Sequence, residues 1–378
     1  MIMSESLDAI DVIPLTFPPE VLSRISPELS LQRHLSLSLR PSLKGLQEFR
    51  EVNIENNLIS RYSNDNIPIN DKDNTVIGSN ILKCGRTIVM TSITAGIIES
   101  DVQDSLIDYG ERELIEMCGE RDTISKYSTV YPVVEVERGR GGAPPSDEEM
   151  NVSQKLHDCL LQSGILSKDN LKIKCGIRTI DSEGTVSIKY PEDNDNDILE
   201  ELNSKRHWSF ILYAKIDVFS RTGPIFDMCW NSLIYALKNT RLPKVFIDDR
   251  AMRLKKMVRS RGRSAAVKET YNMLCHETEN EPLQLNDEMI SYASNYGVVA
   301  VEDEEEGDEK TKVLITDIDE ESEESSVQST MCIISGEGRL KSVEIIGGGS
   351  TVGIEEIKNA IAISQIRSKD LKEVWDKK

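Results

Sequence analysis

The sequence contains no CxxC pair, and its seven cysteines, at 84, 118, 159, 175, 229, 275 and 332, are odd in number and scattered. This spacing excludes a disulfide framework and a zinc site, and it fits buried thiols in a reducing compartment. There are only four histidines, with no HxxxH or HxH pair, so no metal centre is expected either. Long apolar runs are also missing. Stretches such as Phe210-Ile-Leu-Tyr-Ala214 are the longest, whereas a spanning helix needs about 20 apolar residues. The start, Met1-Ile-Met-Ser-Glu-Ser-Leu-Asp-Ala-Ile, lacks the basic opening and apolar middle of a secretory leader. Neither a cofactor nor a membrane partner is expected.

Positive charge is in deficit, with 45 Lys+Arg against 65 Asp+Glu, a formal charge of -20 over 378 residues. The length suggests two or three domains, and 38% apolar residues suffice for a real core. The acidity is local. Between Glu302 and Glu324 there are 13 acids and 2 lysines. The run 302–310, with seven acids in nine positions, reads as a solvated surface loop. Upstream, Arg250 to Lys268 holds eight bases and no acid, densest at Arg259-Ser-Arg-Gly-Arg263. Such a stretch tracks a phosphate backbone or forms a solvated linker facing an acidic neighbour. It has no interleaved aromatic to stack bases.

Pro14, Pro18, Pro19 and Pro27 divide residues 1–40 into two short helical stretches. Strands are expected at Phe49–Ile54, Thr87–Ile93, Tyr131–Val136, Phe210–Phe219, Gly297–Val301, Lys312–Thr316, Thr330–Ile334 and Ser342–Ile346. A helix should start near Asp147, where three carboxylates favour its N-terminus, with Val152, Leu156, Cys159 and Leu160 on one face. Ile225 to Leu237 is apolar nearly all round and reads as a helix pressed on a sheet, ended by Asn239 and Pro243. A final helix runs from about Gly353 to Trp375. Strands followed by a helix or two, in each half, imply an α+β fold: antiparallel sheets with helices packed on one face, in two similar layers. The boundary between halves falls near Pro243 to Asp249.

Several segments carry a resemblance. Arg40-Pro-Ser-Leu-Lys-Gly-Leu-Gln-Glu-Phe-Arg50 resembles the opening of RNase PH-like proteins, although Ser42-Leu-Lys44 stands where that family has Asp-Gly-Arg. Gly78-Ser-Asn-Ile-Leu-Lys-Cys-Gly-Arg-Thr-Ile-Val89 is similar to their next hairpin, and Ala236-Leu-Lys-Asn-Thr-Arg-Leu-Pro243 to the end of their first domain. Leu314-Ile-Thr-Asp-Ile-Asp-Glu-Glu321 and Ile346-Gly-Gly-Gly-Ser350 resemble the acidic strand end and the last turn of the second. The five occur in family order, and within the family they are most similar to the non-catalytic ring subunits of the eukaryotic RNA exosome.

The resemblance implies an N-terminal extension at 1–27, a first RNase PH-like domain at 28–245, a basic linker at 246–270 and a C-terminal domain at 271–378 with the acidic loop 302–310. It implies a structural ring subunit that supports 3′-to-5′ RNA processing and degradation by a separate nuclease. The implied partners are other RNase PH-like subunits, RNA-binding cap proteins, an associated 3′-exoribonuclease and RNA. The implied compartments are nucleus, nucleolus and cytoplasm. Arg138, Arg140, Arg259, Arg261 and Arg263 are the candidates for RNA contact.

The alternative is an active phosphate-dependent 3′-exoribonuclease. Its chemistry needs cations for the phosphate and the scissile diester, with a carboxylate or carboxylate-held metal to assist. By the resemblance, active members begin the helix after the Pro-rich break with two arginines, where this chain has Asp147-Glu148-Glu149. They also carry Asp-Gly-Gly…Arg before the buried helix, where this chain has Arg221-Thr-Gly-Pro-Ile-Phe-Asp227. Acids remain at Asp317, Asp319, Glu320 and Glu321. Gly347-Gly-Gly-Ser-Thr351 reads either as a cradle for an anion or as a structural turn.

Overall fold

Prolines open both of the first helices. In the computed structural model, which describes residues 17–62, 74–101, 127–139, 144–180, 186–191, 206–248, 273–301, 311–348 and 352–377, α1 is Pro19–Ile25 and α2 is Pro27–Ser36. A proline in the first turn has no N–H to leave unpaired, and its φ is already helical. Then come β1 (Val52–Asn56), β2 (Val76–Cys84), β3 (Thr87–Asp101), β4 (Val130–Val136) and α3 (Asp147–Ser163). They are followed by β5 (Lys172–Ile173), β6 (Gly176–Ile180), β7 (Val186–Lys189), β8 (Arg206–Phe219) and α4 (Phe226–Lys238). The second half holds β9 (Arg241–Asp248), β10 (Met273–Pro282), β11 (Ser291–Val301), β12 (Thr311–Thr316) and α5 (Glu321–Ser326). The chain closes with β13 (Ser329–Gly336), β14 (Arg339–Gly347) and α6 (Ile354–Asp376).

The first sheet has the order β1-β2-β3-β8-β4, with β5 also on β8. Its centre is the long antiparallel pair β3–β8, in register from Ile88↔Phe219 to Asp101↔Arg206. The sheet of the second half has the order β12-β11-β13-β14 and is antiparallel throughout. A third sheet, β10-β9-β6-β7, was not expected from the strand pattern. Its strand β9 runs through Pro243 and extends to Asp248, into the stretch 246–270 read as a linker. Proline is tolerated there because β6 pairs with β9 only at residues 246–248, leaving the strand open on that side at 243. The first strand also starts later than expected, at Val52 instead of Phe49. Phe49 instead packs edge-on against Tyr296, with ring centres 6.2 Å apart.

The apolar character of α4 on all sides has a clear cause. The helix lies between the first sheet and that of the second half, touching β2 and β3 on one side and β11 on the other. Every residue from Phe226 to Leu237 is buried. Five of its side chains hydrogen-bond into the second half: Trp230 Nε1 donates to Ser291 O at 2.9 Å, Asn231 exchanges two bonds with the Ala293 backbone, Tyr235 donates to Leu371 O, Lys238 donates to the Tyr292 hydroxyl, and Asp227 accepts from Asn295. The main core is therefore shared, and Leu283, Tyr292, Ile334 and Leu371 belong to it together with first-sheet residues. The N-terminal segment also crosses over. Leu31 and Leu35 of α2 pack on Val299, Val301 and Ile315 of β11 and β12.

Three of the six described thiols are buried as expected, and Cys159 and Cys332 are half-buried. Cys84, Cys175 and Cys229 are buried, and burial pushes Cys84 and Cys175 up to about 12. Cys275 departs from the expectation: it lies on the exposed strand β10. Cys118 lies outside the described residues.

Candidate functional site

Two of the acids that survive at the end of β12, Asp317 and Asp319, form one cluster with the opening segment, together with Glu323 of α5; among the described residues, no ion pair joins Glu320 or Glu321 to it. Arg40 is fully buried. Its guanidinium has five N–H groups, and all of them find acceptors. Nε and Nη2 meet the Glu323 carboxylate at 3.1 and 2.6 Å. The others reach the carbonyls of Glu48, Thr316 and Asp317 at 3.2, 2.6 and 2.6 Å. Glu323 is likewise wholly buried.

Arg50 is also buried and bound to carboxylates. Its Nη2 meets Asp317 Oδ1 at 2.6 Å, and its backbone N–H donates to Asp317 Oδ2 at 2.7 Å. Its Nη1 donates to Asp319 Oδ1 at 2.7 Å and to Thr222 Oγ1 at 3.0 Å. Burial alone would raise the Asp317 carboxyl, but the hydrogen bonds and charge of Arg50 outweigh it and hold the carboxyl below its ordinary range. Burial would likewise lower the Arg50 guanidinium, and Asp317 overrides that and raises it. Asp317 has φ +52°, a left-handed conformation that aspartate tolerates better than most residues. Lys44, at a position where the family has arginine by resemblance, pairs with Asp319 Oδ2 at 3.3 Å.

The two segments expected to differ from active enzymes join this cluster. Arg221 bridges Glu148 of α3 and Glu324 of α5, at 2.5 Å to each. Thr222 donates to Asp319 at 3.1 Å. Gly223, next in the chain, has φ +70°, and a Cβ there would lie 2.1 Å from the carbonyl oxygen of Ile318. The loop can approach the acidic turn only because that residue is glycine. Gly223→Ala should cost at least about 2 kcal/mol, from the left-handed backbone and the clash together. Urea unfolding checks this, and an unchanged midpoint would show that the loop relaxes freely.

Glu149 belongs to the helix start. Its carboxylate accepts from Ser146 N at 2.5 Å and Val136 N at 2.8 Å, and Ser146 Oγ accepts from Glu149 N, which completes a capping box. Burial works against the charged form, and these bonds still hold the carboxyl below its ordinary value. Arg138 donates to Ser146 Oγ at 3.0 Å, lies 3.5 Å from Glu149, and is half-exposed. Arg140, Arg259, Arg261, Arg263 and the acidic loop 302–310 lie outside the described residues. Gly347 has φ +129°, and a Cβ there would meet Gln328 O at 2.4 Å, so a close strand approach accounts for it. Glu355 and Glu356 occupy the first turn of α6, where they oppose an anion.

Among the described residues, Arg40, Lys44, Arg50 and Arg221 are each bound to a carboxylate. These four cations are all paired within the cluster, and neither carboxylate oxygen of Asp317 lacks a donor. Elsewhere, Glu135, Glu137 and Asp217 have carboxylate oxygens within 4.8 Å of one another, a spacing that a metal could use. Lys215 Nζ already stands 3.1 Å from Glu135 and 3.2 Å from Asp217 and supplies a positive charge there.

Sequence reading identified the acids at 317 and 319 and the acidic start of α3, but not their partners. The available signal was Arg40 and Arg50 flanking a segment with the family's opening pattern.

The fold and this cluster define an RNase PH-type module. The sequence model of the 3′ exoribonuclease family, domain 1 (RNase PH), matches residues 48–243, more than half of the 378. The chain belongs to this family. A curated relative, the exosome complex component rrp43 of Schizosaccharomyces pombe, is 24% identical over 354 residues, covering 93% of this chain and 96% of the relative. Two solved structures share the fold at 14% identity. The Archaeoglobus fulgidus exosome with RNA bound to the active site has a TM-score of 0.52, with 94% of this chain and 99% of that chain covered. An archaeal exosome core has a TM-score of 0.50, with 94% and 98% covered.

Proposed function

We propose that this chain is a non-catalytic structural subunit of the RNA exosome ring, supporting 3′-to-5′ RNA processing and degradation by a separate nuclease. The observation that carries the reading is the cluster of Arg40, Arg50 and Arg221 with Glu323, Asp317, Asp319 and Glu148. Phosphorolysis brings two anions, phosphate and the RNA diester, into one site. Two unit charges ~4 Å apart repel by about 4 kcal/mol at an effective dielectric of 20, so cations must offset them. Here the cations are spent on the chain's own carboxylates, and Asp147-Glu148-Glu149 supplies no cation where active members carry arginines by resemblance. The S. pombe relative is by name an exosome complex component, which supports membership of that assembly; the assignment as a counterpart of exosome component eight is part of the proposal.

In this reading the partners are other RNase PH-like subunits, RNA-binding cap proteins, an associated 3′-exoribonuclease and RNA. Arg138, Arg140, Arg259, Arg261 and Arg263 are the proposed RNA contacts, and nucleus, nucleolus and cytoplasm the proposed compartments. The test is to purify the tagged chain from cells, identify its stoichiometric partners, and incubate the assembly with single-stranded RNA, phosphate and Mg²⁺ after inactivating the partner nucleases. A stable set of RNase PH-like partners and no nucleoside diphosphate release are expected. Release that disappears in Asp319→Asn would overturn the reading in favour of a phosphate-dependent exoribonuclease.

A further inference from the structure

A cleft of about 530 Å³ opens between β2, β3 and β8 of the first sheet and β9 and β10 of the third. Small-molecule sites run from ~300 to 1,000 Å³ and are mostly apolar with a few placed polar groups. One wall is the inner face of the first sheet, where Ile97 of β3 stands opposite Phe210 of β8 and Glu99 opposite Trp208. Phe210, Trp208, Tyr62 and Ile77 are almost wholly buried, so each presents only a small part of its surface to the cleft. Pro243 of β9 and Met273 of β10 line it from the third sheet.

One cation lines this space among the described residues. Arg61 follows β1, and its backbone N–H is fixed on Val76 O at 2.9 Å. Its side chain is half-buried and makes no hydrogen bond or ion pair among the described residues. That sets it apart from Arg40, Arg50 and Arg221, each of which a carboxylate holds. Burial raises the Tyr62 hydroxyl and the Cys275 thiol, and in both cases the charge of Arg61 pulls the other way. Both groups line the cleft, Tyr62 after β1 and Cys275 on β10, so the guanidinium charge lies close to the space between them. Glu99 is the one carboxylate lining the cleft among the described residues, and it is already engaged.

An unpaired guanidinium beside an apolar wall is complementary to a carboxylate on an apolar body. The planar fork matches two carboxylate oxygens, and the wall takes up the rest of the molecule. With one cation and one carboxylate lining the space, a monoanion is favoured over a polyanion such as a nucleotide. We propose that this cleft binds a small apolar carboxylic acid in its ionised form, the carboxylate on the Arg61 guanidinium and the aromatic or aliphatic body along Ile97, Phe210 and Met273. This role goes beyond ring assembly and makes no use of the Arg50–Asp317 cluster.

The test uses the full chain in the assembly it forms, with 4-phenylbutyrate as probe and 4-phenylbutanol as its neutral counterpart, followed by ligand-observed NMR. Saturable carboxylate binding is expected, about 10-fold tighter than that of the alcohol, since charge-assisted hydrogen bonds are the stronger ones. Arg61→Gln keeps the backbone bond to Val76 and should weaken the carboxylate about 10-fold while leaving the alcohol unchanged. Uridine 5′-monophosphate, whose phosphate carries nearly two charges at neutral pH, should bind more weakly than the carboxylate. Thr75→Glu, at an exposed position lining the cleft, adds an anion without touching the core and should weaken the carboxylate about threefold by repulsion. Equal affinity for carboxylate and alcohol, absence of saturable carboxylate binding at millimolar concentration, tighter binding of the nucleotide, or an unchanged carboxylate affinity in Arg61→Gln would overturn the proposal. If Arg61→Gln does not fold, unchanged affinity in Thr75→Glu overturns it instead.

Discussion

Arg40→Ala should destabilise the fold by roughly 3–5 kcal/mol, because it leaves the carboxylate of Glu323 buried without its counter-ion. Both side chains are completely buried, and the guanidinium also serves three backbone carbonyls. Those carbonyls would lose their donor in the same step. Breaking a buried pair costs more than the pair contributes when intact, so Arg40→Met combined with Glu323→Leu should recover part of the loss. Urea unfolding of the two single variants and the double variant measures this. A double variant as unstable as the sum of the singles would show that the pair is not coupled. The neighbouring pair adds a pH signature. The folded-state pKa of Asp317 is depressed, so its contribution is present above its ordinary unfolded value of ~3.9 and is lost as pH falls through the lower folded value. Asp317→Asn should flatten that acid limb.

Trp230→Ala should cost about 3–5 kcal/mol, the range for removing a large aromatic side chain from a core. Trp230 is fully buried on α4, packs on Phe226 with ring centres 6.4 Å apart, and donates to a carbonyl at the start of β11. Since α4 lies between two sheets, the loss should reach both of them. Amide hydrogen exchange should accelerate in β2 and β3 and also in β11. Acceleration confined to one sheet would show that the halves are stabilised independently and that α4 belongs to one of them alone.

The α+β class, the approximate position of most strands and the helices at 147–163, 226–238 and 354–376 follow from the sequence by itself. Period-2 alternation and the 3.6-residue stripe are local signals, because each residue's facing is set by its immediate neighbours along the chain. The continuous apolar surface of Ile225 to Leu237 already required burial on every side. The carboxylates at 147–149 and the missing base after Gly223 were also legible, since each is a local substitution within a recognisable segment.

Other features were decided only by tertiary structure. Arg40 and Glu323 are 283 positions apart, and Arg50 and Asp317 are 267 apart. No periodicity encodes a pairing at that distance, so Asp317 and Asp319 looked available when Arg50 and Lys44 already paired with them. Pro243 reads as a break, and β9 carries it because pairing on one side of the strand is incomplete there. Gly223 reads as ordinary loop glycine until the Ile318 carbonyl appears 2.1 Å from where its Cβ would stand.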